Sequence, residues 1–282
     1  MISFTDYELQ QYINEDVSYL DLTTYLQSVE NKQAKLSIIT REDVIVSCME
    51  EACTIAEILG CVVDFFIPSK QKAKKGDLLL CFKGDYNDVH KAWRASQVIL
   101  EYSCKIATYT YEMKKEISSV NKNCELLSTR KTFPFSKKFC IKSILTGGAM
   151  VHRLNLSETI VFFEQHRVIY KSNQEFYENI KNFKIKMPEK KIVVESNNIE
   201  DAIALMIHGV DVIQMDKVGL DVLIKVVEYK DKNFTDIKIL ASGGIDINNA
   251  AKFASTGIDG IVTSRVYMCG MADIGTKMEL LT

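Results

Sequence analysis

The pattern of apolar and polar positions changes twice along the chain. In the first third, short β-branched or apolar runs are separated by polar turns, which predicts strands at residues 35–39, 44–48, 62–67 and 78–82. From Asp88 toward Ile117 the apolar residues recur every three or four positions, which predicts one long helix. Beyond Asn121, short apolar strands alternate with helical segments, and that alternation indicates parallel β/α units.

Six strands stand out in this second region, with a seventh near residues 149–151. We predict them at residues 124–128, 159–163, 191–194, 212–215, 238–241 and 260–263. Helices are predicted between several of them, at residues 199–208, 218–230 and 247–255. The residues after Met268 are too few for another β/α unit, so we expect them to form a helical tail on the first domain.

Length and composition agree with a two-domain globular protein. A chain of 282 residues with 47% hydrophobic residues can fill more than one core. From the change of pattern we place a first domain at residues 1–110, a β/α domain at 111–268 and the tail at 269–282.

Charge and cysteine usage narrow the class further. Lys and Arg number 35 against 37 for Asp and Glu, so nothing in the balance favours nucleic acid as a partner. There is no signal-peptide pattern, and no apolar run reaches the roughly 18 residues of a membrane span. The eight cysteines lack a Cys-x-x-Cys pair and often lie in apolar runs, as reduced core thiols do. We therefore expect a cytoplasmic protein that does not bind a membrane.

The candidate catalytic and binding residues lie directly after the predicted strands. In a β/α barrel the carboxyl ends of the strands and the loops after them form the catalytic face. The residues at these positions are polar: Thr129, Arg130 and Lys131, then Glu195, Asp216, Ser242 with Gly243 and Gly244, and Thr263 with Ser264. Each has an ordinary alternative, because loop cations are usually solvated and a carboxylate can pair with a nearby lysine. Their joint placement favours function, and glycine-rich late strands of a barrel often bind phosphate.

Two His-Arg pairs and one arginine of the long helix are further candidates. His152 and Arg153 precede the second strand and could bind an anionic substrate together, since the guanidinium fork matches a carboxylate. The pair His166 and Arg167 repeats this arrangement, and one of the two pairs could be structural. Arg94 lies among apolar residues of the long helix, so it either pairs internally or faces an interface.

Several of these residues stand in motifs whose order resembles the quinolinate phosphoribosyltransferase family. The motifs are Thr129-Arg130-Lys131-Thr132-Phe133-Pro134, Gly147-Gly148, His152-Arg153, Leu156-Ser157-Glu158-Thr159, Glu195, Asp216 and Ser242-Gly243-Gly244-Ile245. The likeness extends to Glu15-Asp16 and Asp21-Leu22-Thr23-Thr24 near the N-terminus, and to Arg94 and Ala107-Thr108 on the long helix. Within that superfamily the chain more closely resembles the ModD branch, which is associated with molybdate transport, because Leu156-Ser157-Glu158-Thr159 and Phe163-Glu164-Gln165-His166-Arg167 follow the pattern of that branch.

The resemblance implies an architecture and an assembly. The fold would be α/β, a type II phosphoribosyltransferase: an N-terminal α/β sandwich domain joined to an open, seven-stranded parallel β/α barrel. The minimal active unit would be a homodimer in which Arg94 enters the partner's active site.

The resemblance also implies roles for the candidate residues. Ser242, Gly243, Gly244, Thr263 and Ser264 would bind the 5-phosphate of 5-phosphoribosyl 1-pyrophosphate. Glu195 and Asp216 would hold ribose hydroxyls and Mg²⁺, and Lys131 would neutralise the departing pyrophosphate. An anionic heterocycle would be held by Arg94, Arg130, His152 and Arg153, with Thr129 and Phe163 lining its pocket.

The chain departs from the quinolinate enzymes at the acceptor. Phe163 stands where they carry a substrate-binding lysine, and Ser264 and Met268 stand where they carry a glycine and a histidine. We therefore expect a different acceptor, linked to molybdenum metabolism. The alternatives are an authentic quinolinate phosphoribosyltransferase of NAD biosynthesis, a non-catalytic nucleotide- or oxyanion-binding protein, and a more distant barrel enzyme with Lys217 as a Schiff-base lysine.

Overall fold

A computed structural model describes residues 2–17 and 19–281 of the chain. The chain divides into two compact units. The first contains Met1–Tyr111, Phe133–Gly148 and Tyr267–Thr282, and the second contains Glu112–Thr132 and Ala149–Val266. The predicted division at residues 110 and 268 differs from this one, because it assigned residues 133–148 to the second domain and the structure groups them with the first unit.

The first unit is built on an antiparallel sheet with the strand order β13-β1-β5-β3. Its strands are β1 (Gln33–Thr40), β3 (Val62–Phe66), β5 (Leu78–Asp85) and β13 (Ile274–Leu281), with a separate short pair, β2 (Val44–Ile45) and β4 (Lys72–Ala73). Alternate residues of β1 are buried, namely Ala34, Leu36 and Ile38, as expected for a strand with one face on a core. The four predicted strands of this region are confirmed, although the second is only two residues long.

The helices of the first unit are α1 (Asp6–Asn14), α2 (Leu22–Gln27), α3 (Met49–Ile58), most of the long α4 (Tyr86–Val120) and α5 (Lys137–Thr146). The last residues of α4 belong to the second unit. A capping box between Thr5 and Glu8 begins α1, and the carboxylate of Asp21 accepts hydrogen bonds from the amides that begin α2. The long helix is confirmed. Within the described ranges, no helix is both long and apolar enough to cross a membrane.

The end of the chain differs from the prediction. Residues 274–281 form the strand β13, which pairs antiparallel with β1 from Gln33↔Leu281 to Thr40↔Ile274. The expectation of a helical tail was wrong, because the open edge of β1 offers a row of backbone hydrogen bonds that a helix cannot use. The tail thus completes the first sheet.

The second unit is an open parallel sheet. Within the described residues it has seven strands in the order β7-β6-β12-β11-β10-β9-β8, and every neighbouring pair is parallel. The strands are β6 (Glu125–Ser128), β7 (Met150–Val151), β8 (Ile160–Phe162), β9 (Ile192–Ser196), β10 (Val212–Asp216), β11 (Lys238–Ser242) and β12 (Gly260–Thr263). The predicted open, seven-stranded β/α barrel is confirmed, since β7 and β8 are the two ends of the sheet and do not pair with each other.

Helices connect most of these parallel strands, as parallel connections require. In this unit they are α6 (Glu164–Arg167), α7 (Asn173–Lys186), α8 (Ile199–Ile207), α9 (Leu220–Asn233) and α10 (Ala250–Ala254), followed by a 3-10 turn at Arg265–Tyr267. The helix α10 begins three residues later than predicted. The Gly243-Gly244 turn is therefore followed by a loop and not directly by a helix.

Candidate active site

The register of the parallel sheet places many of the predicted site residues on one face. Glu195 is opposite Gln214, and Asp216 is opposite Ser242. Residues opposite each other in register share a face, as do residues two apart on one strand. The side chains of these four residues therefore lie on the same face, at the carboxyl end of three consecutive strands.

The neighbouring strands extend this face in both directions. Thr129 and His152 each add one residue to their strands, because their amides donate to Thr263 O at 3.1 Å and Ser128 O at 2.9 Å. Phe163 likewise follows Phe162, which is opposite Val194, one residue before Glu195. By the same alternation, Thr129, His152 and Phe163 share the face of Glu195 and Asp216. We call this set, together with Gln214 and Ser242, the carboxyl-end face.

Glu195 and Asp216 form the acidic part of the carboxyl-end face. Gln214 Nε2 donates to Glu195 Oε2 at 3.1 Å, and the hydroxyl of Ser242 donates to Asp216 Oδ1 at 2.8 Å. Burial, and then the nearby charge of Asp216, raise the pKa of Glu195 above its ordinary value. Lys217 lies 3.7 Å from Asp216 Oδ2, but its own side chain is mostly exposed. The two carboxylates are thus close enough to repel each other.

The turn after β11 requires glycine at Gly243. Its φ of +89° is left-handed, and a Cβ there would lie 2.4 Å from Lys217 Cγ and 2.9 Å from Asp216 Oδ1. Gly244 also has a positive φ, of +73°, but a Cβ there would meet nothing within 4 Å. The close approach therefore belongs to Gly243, whose backbone lies directly against the acidic residue and its neighbour.

The two residues predicted to complete the phosphate site differ in position. The hydroxyl of Thr263 is buried, donates to Ile245 O at 2.8 Å and accepts from the amide of Arg265 at 3.1 Å. Its position in register places its side chain on the opposite face from Ser242. Ser264 follows by one residue and is partly exposed. The Thr263 hydroxyl thus holds the glycine turn, and its role in binding phosphate stays a prediction.

A basic group lies at the other end of the carboxyl-end face. Arg153 is buried and donates to Thr159 O at 3.3 Å, while Arg130 is exposed. Burial, and then the charge of Arg130, lower the pKa of Arg153. Burial, strengthened by Arg153, lowers the pKa of His152 to about 4, so its imidazole is neutral near pH 7. In the described part of the chain, His152 Nε2 is buried with no hydrogen-bond partner.

Phe163, which follows the edge strand β8, lies close to the basic group that follows the strands β6 and β7 at the other edge of the sheet. The guanidinium of Arg153 lies 6.0 Å from the centre of the Phe163 ring, and the His166 ring stacks on that ring at 5.6 Å and 29°. Arg153 follows β7 and Phe163 follows β8, so the two ends of the open sheet approach each other here. The ring presents an apolar, flat surface beside a cation.

Two residues that lie at this site were predicted only weakly, or not at all, from the sequence. Arg167 donates to Glu195 O at 2.7 Å and to Asp201 Oδ1 at 2.8 Å, and its side chain is only 10% exposed. Gln214 was not predicted at all. The feature that could have indicated a role for Gln214 is its amide side chain between Ile213 and Met215, which are both buried, in a strand that is otherwise apolar. Of the two His-Arg pairs, His166 and Arg167 make the more extensive contacts with the protein itself.

Arg94 lies on α4, in the first unit. It is exposed, with its guanidinium 3.4 Å from Gln97 Oε1 and 5.3 Å from the Trp93 ring centre. Its side chain lies on the solvent side of the helix. An exposed arginine of this kind remains available to a partner.

The carboxylates of Glu195 and Asp216 are suitable ligands for magnesium that is bound together with a polyphosphate. Among residues 2–17 and 19–281, there is no group of three or more His, Cys, Asp or Glu residues that could hold a metal. Mg²⁺ uses few protein carboxylates when phosphate oxygens and water supply its other ligands. The close pair Glu195 and Asp216 offers that number, and a cation would be attracted by both carboxylates. Both residues stay predicted ligands.

Comparison with known proteins gives consistent matches over nearly the whole chain. The family model "Quinolinate phosphoribosyl transferase, C-terminal domain" matches residues 106–275, and the corresponding N-terminal domain matches residues 21–104. A protein of Pasteurella multocida named "Putative pyrophosphorylase ModD" is 29% identical over 279 residues, which cover 99% of each chain.

More distant proteins agree. A "Probable nicotinate-nucleotide pyrophosphorylase" of Methanothermobacter thermautotrophicus is 24% identical over 265 residues, covering 92% of this chain and 94% of its own. The crystal structure of nicotinate-nucleotide pyrophosphorylase from Ehrlichia chaffeensis superimposes with a TM-score of 0.88 at 21% identity, covering 99% of this chain and 100% of that one. At that identity, the structural likeness shows the fold.

Proposed function

Because the chain belongs to the quinolinate phosphoribosyl transferase family and is a phosphoribosyltransferase, we propose that it transfers the phosphoribosyl group of 5-phosphoribosyl 1-pyrophosphate to an anionic heteroaromatic acceptor. The observation that carries this proposal is the carboxyl-end face. There the sheet register gathers an acidic pair and a glycine turn on neighbouring strands, and Phe163, beside Glu195 in register, lies against the guanidinium of Arg153. A charged sugar donor and a flat anionic acceptor need these two kinds of surface side by side.

The acidic end would hold the donor. Glu195 and Asp216 accept hydrogen bonds from the ribose hydroxyls, and Ser242 with the glycine turn binds the 5-phosphate through backbone amides. The close approach at Gly243 keeps this turn within reach of the acidic residues. Bound at Glu195 and Asp216 with the pyrophosphate, Mg²⁺ would supply charge neutralisation on the leaving group.

The reaction exchanges one bond at the anomeric carbon for another. The bond from C1 of the ribose to the pyrophosphate oxygen breaks, and its electron pair leaves with pyrophosphate. A lone pair on the acceptor's ring nitrogen forms the new bond to C1. Positive charge develops on the sugar ring in between, so fixed charges that favour this state accelerate the reaction. Lys131 neutralises the departing pyrophosphate, and the protein needs no covalent intermediate.

The basic end would hold the acceptor. Arg153 and Arg130 attract a carboxylate or similar anion, and neutral His152 adds a hydrogen bond without a third positive charge. Phe163 supplies a stacking surface where the quinolinate enzymes carry a lysine. A ring bearing one anionic group matches this set better than the dicarboxylate quinolinate, which would leave its second carboxylate against an aromatic ring.

Assembly and setting belong to the same proposal. We propose a homodimer in which Arg94 of one subunit completes the acceptor site of the other, which its exposed position on α4 supports. The likeness to ModD supports an acceptor linked to molybdenum metabolism. All eight cysteines are free thiols and seven are buried, which supports a reducing, cytoplasmic location.

A ligand-induced change in melting temperature tests the donor half. With magnesium, 5-phosphoribosyl 1-pyrophosphate should raise the melting temperature of the protein, because it binds the native state alone. Glu195→Ala should abolish the rise, while Glu200→Ala, an exposed acidic change on α8, should keep it. Acceptors are then ranked by pyrophosphate release. A wild type that shows no rise at millimolar ligand would favour the non-catalytic binding protein.

A further inference from the structure

Gln214 is a buried polar residue of this site that the proposed mechanism does not use. It is 5% exposed and lies between two fully buried apolar residues of β10, Ile213 and Met215. Its amide nitrogen donates to Glu195 Oε2 at 3.1 Å. Its amide oxygen, Oε1, is buried and has no hydrogen-bond partner within the ranges that the structure describes.

Packing alone does not account for an amide at this position. A buried carbonyl without a partner destabilises the fold, and an apolar residue of similar length would fill the same space without that cost. The amide orientation is also set by its neighbour. Turning the group over would place Oε1 of Gln214 against Oε2 of Glu195, with two acceptors facing each other. The one favourable contact that Gln214 gains is therefore the one to Glu195.

We propose that Gln214 is a positioning residue: its amide holds one carboxylate oxygen of Glu195, so that the other oxygen faces the hydroxyls of the bound sugar. The inference rests on the proposed function, in which Glu195 binds the ribose of the donor. Gln214 acts through Glu195, so removing it should change how that carboxylate behaves and not only how well β10 packs.

Two substitutions test this, with a third as a control. Gln214→Met keeps the length of the side chain and removes the amide. Gln214→Asn keeps the amide but is one methylene shorter, so it does not reach Glu195. Ile213→Val removes one buried methylene on the opposite face of the same strand. For each, we would measure the dissociation constant of 5-phosphoribosyl 1-pyrophosphate with magnesium by calorimetry, and the melting temperature of the protein without ligand.

The expected result is a loss of affinity without a matching loss of stability. Both Gln214 variants should bind the donor about tenfold more weakly. Gln214→Met should melt close to the wild type, because it also removes a buried oxygen that has no partner. Ile213→Val should bind the donor as the wild type does, even if it melts earlier. Unchanged binding in both Gln214 variants, or a loss of affinity in Ile213→Val as large as theirs, would overturn the inference and leave a packing role. A wild type that binds no donor would instead remove the proposed function, and this inference with it.

Discussion

The guanidinium of Arg167 donates to the main-chain carbonyl of Glu195 at 2.7 Å, from a helix that begins two residues after the end of β8. The same group pairs with Asp201 at 2.8 Å, near the start of α8. Arg167 therefore fixes the end of β9 from outside the strand, while Gln214 holds the side chain of Glu195. The position of this carboxylate depends on two neighbouring structural elements.

Breaking the Arg167 ion pair should destabilise the protein. Arg167→Met leaves the buried carboxylate of Asp201 without its cation, which typically costs about 3 kcal/mol. The matched control is Arg41→Met, since Arg41 and Asp273 are 61% and 63% exposed and such a pair contributes about 1 kcal/mol or less. Urea unfolding of the three proteins provides the measurement. Equal losses for the two variants would show that Arg167 does not hold the end of β9.

Changing Gly243 should be far more damaging than changing Gly244. Gly243→Ala adds a Cβ 2.4 Å from Lys217 Cγ on a left-handed backbone, so we expect about 3 kcal/mol of lost stability and no donor binding. Gly244→Ala has the same kind of backbone and open space, and should cost about 1 kcal/mol. Thermal unfolding with and without 5-phosphoribosyl 1-pyrophosphate compares them. Two similar alanine variants would contradict the role assigned to the close approach.

Phe163→Lys should move acceptor preference toward quinolinate. The substitution puts a second cation near Arg153, where the ring now lies 6.0 Å from the guanidinium, and so offers a partner for a second carboxylate. Phe163→Leu is the control, because it removes the ring without adding charge. The measurement is binding of quinolinate against nicotinate, which bears one carboxylate. We expect about a tenfold gain in the quinolinate preference for the lysine variant alone. No gain would argue against the placement of Phe163 in the acceptor pocket.

Stability should fall toward acid pH partly because of His152. Its folded pKa is lowered from 6.5 to about 4, so the unfolded chain binds a proton that the native protein refuses. Stability from the neutral imidazole is complete above about pH 6.5 and decreases as the pH falls toward about 4. Between about pH 7 and about pH 5 this amounts to about 2 kcal/mol.

The His152→Asn variant isolates this effect, because asparagine does not titrate. Its unfolding free energy should decrease less than that of the wild type over the same pH interval. Chemical denaturation at the two ends of the interval gives the difference. Parallel pH dependence of the two proteins would mean that His152 is not the buried neutral imidazole seen in the structure.

The class of fold and most of the carboxyl-end face follow from the pattern of residues along the chain. The strands β6 to β12 are short apolar runs, most of them separated by helical segments, and five of the seven end in a polar residue, so their alternation along the chain was predictable. Thr129, Glu195, Asp216 and Ser242 were predictable because strand ends in a parallel sheet must meet at one edge. The long helix α4 was also predictable, from the three- and four-residue spacing of its apolar residues.

Other features depend on contacts between residues that are far apart in the chain. The strand β13 was predicted as a helix because eight residues carry too little periodicity, and its partner strand β1 lies more than two hundred positions away. Thr263 was predicted as a phosphate ligand together with Ser242, yet the register places their side chains on opposite faces of the sheet. The roles of Gln214 and Arg167 appear only when β9, β10 and α6 are brought together. A hydrogen bond to one carboxylate oxygen, or to one main-chain carbonyl, leaves no periodic trace in the sequence.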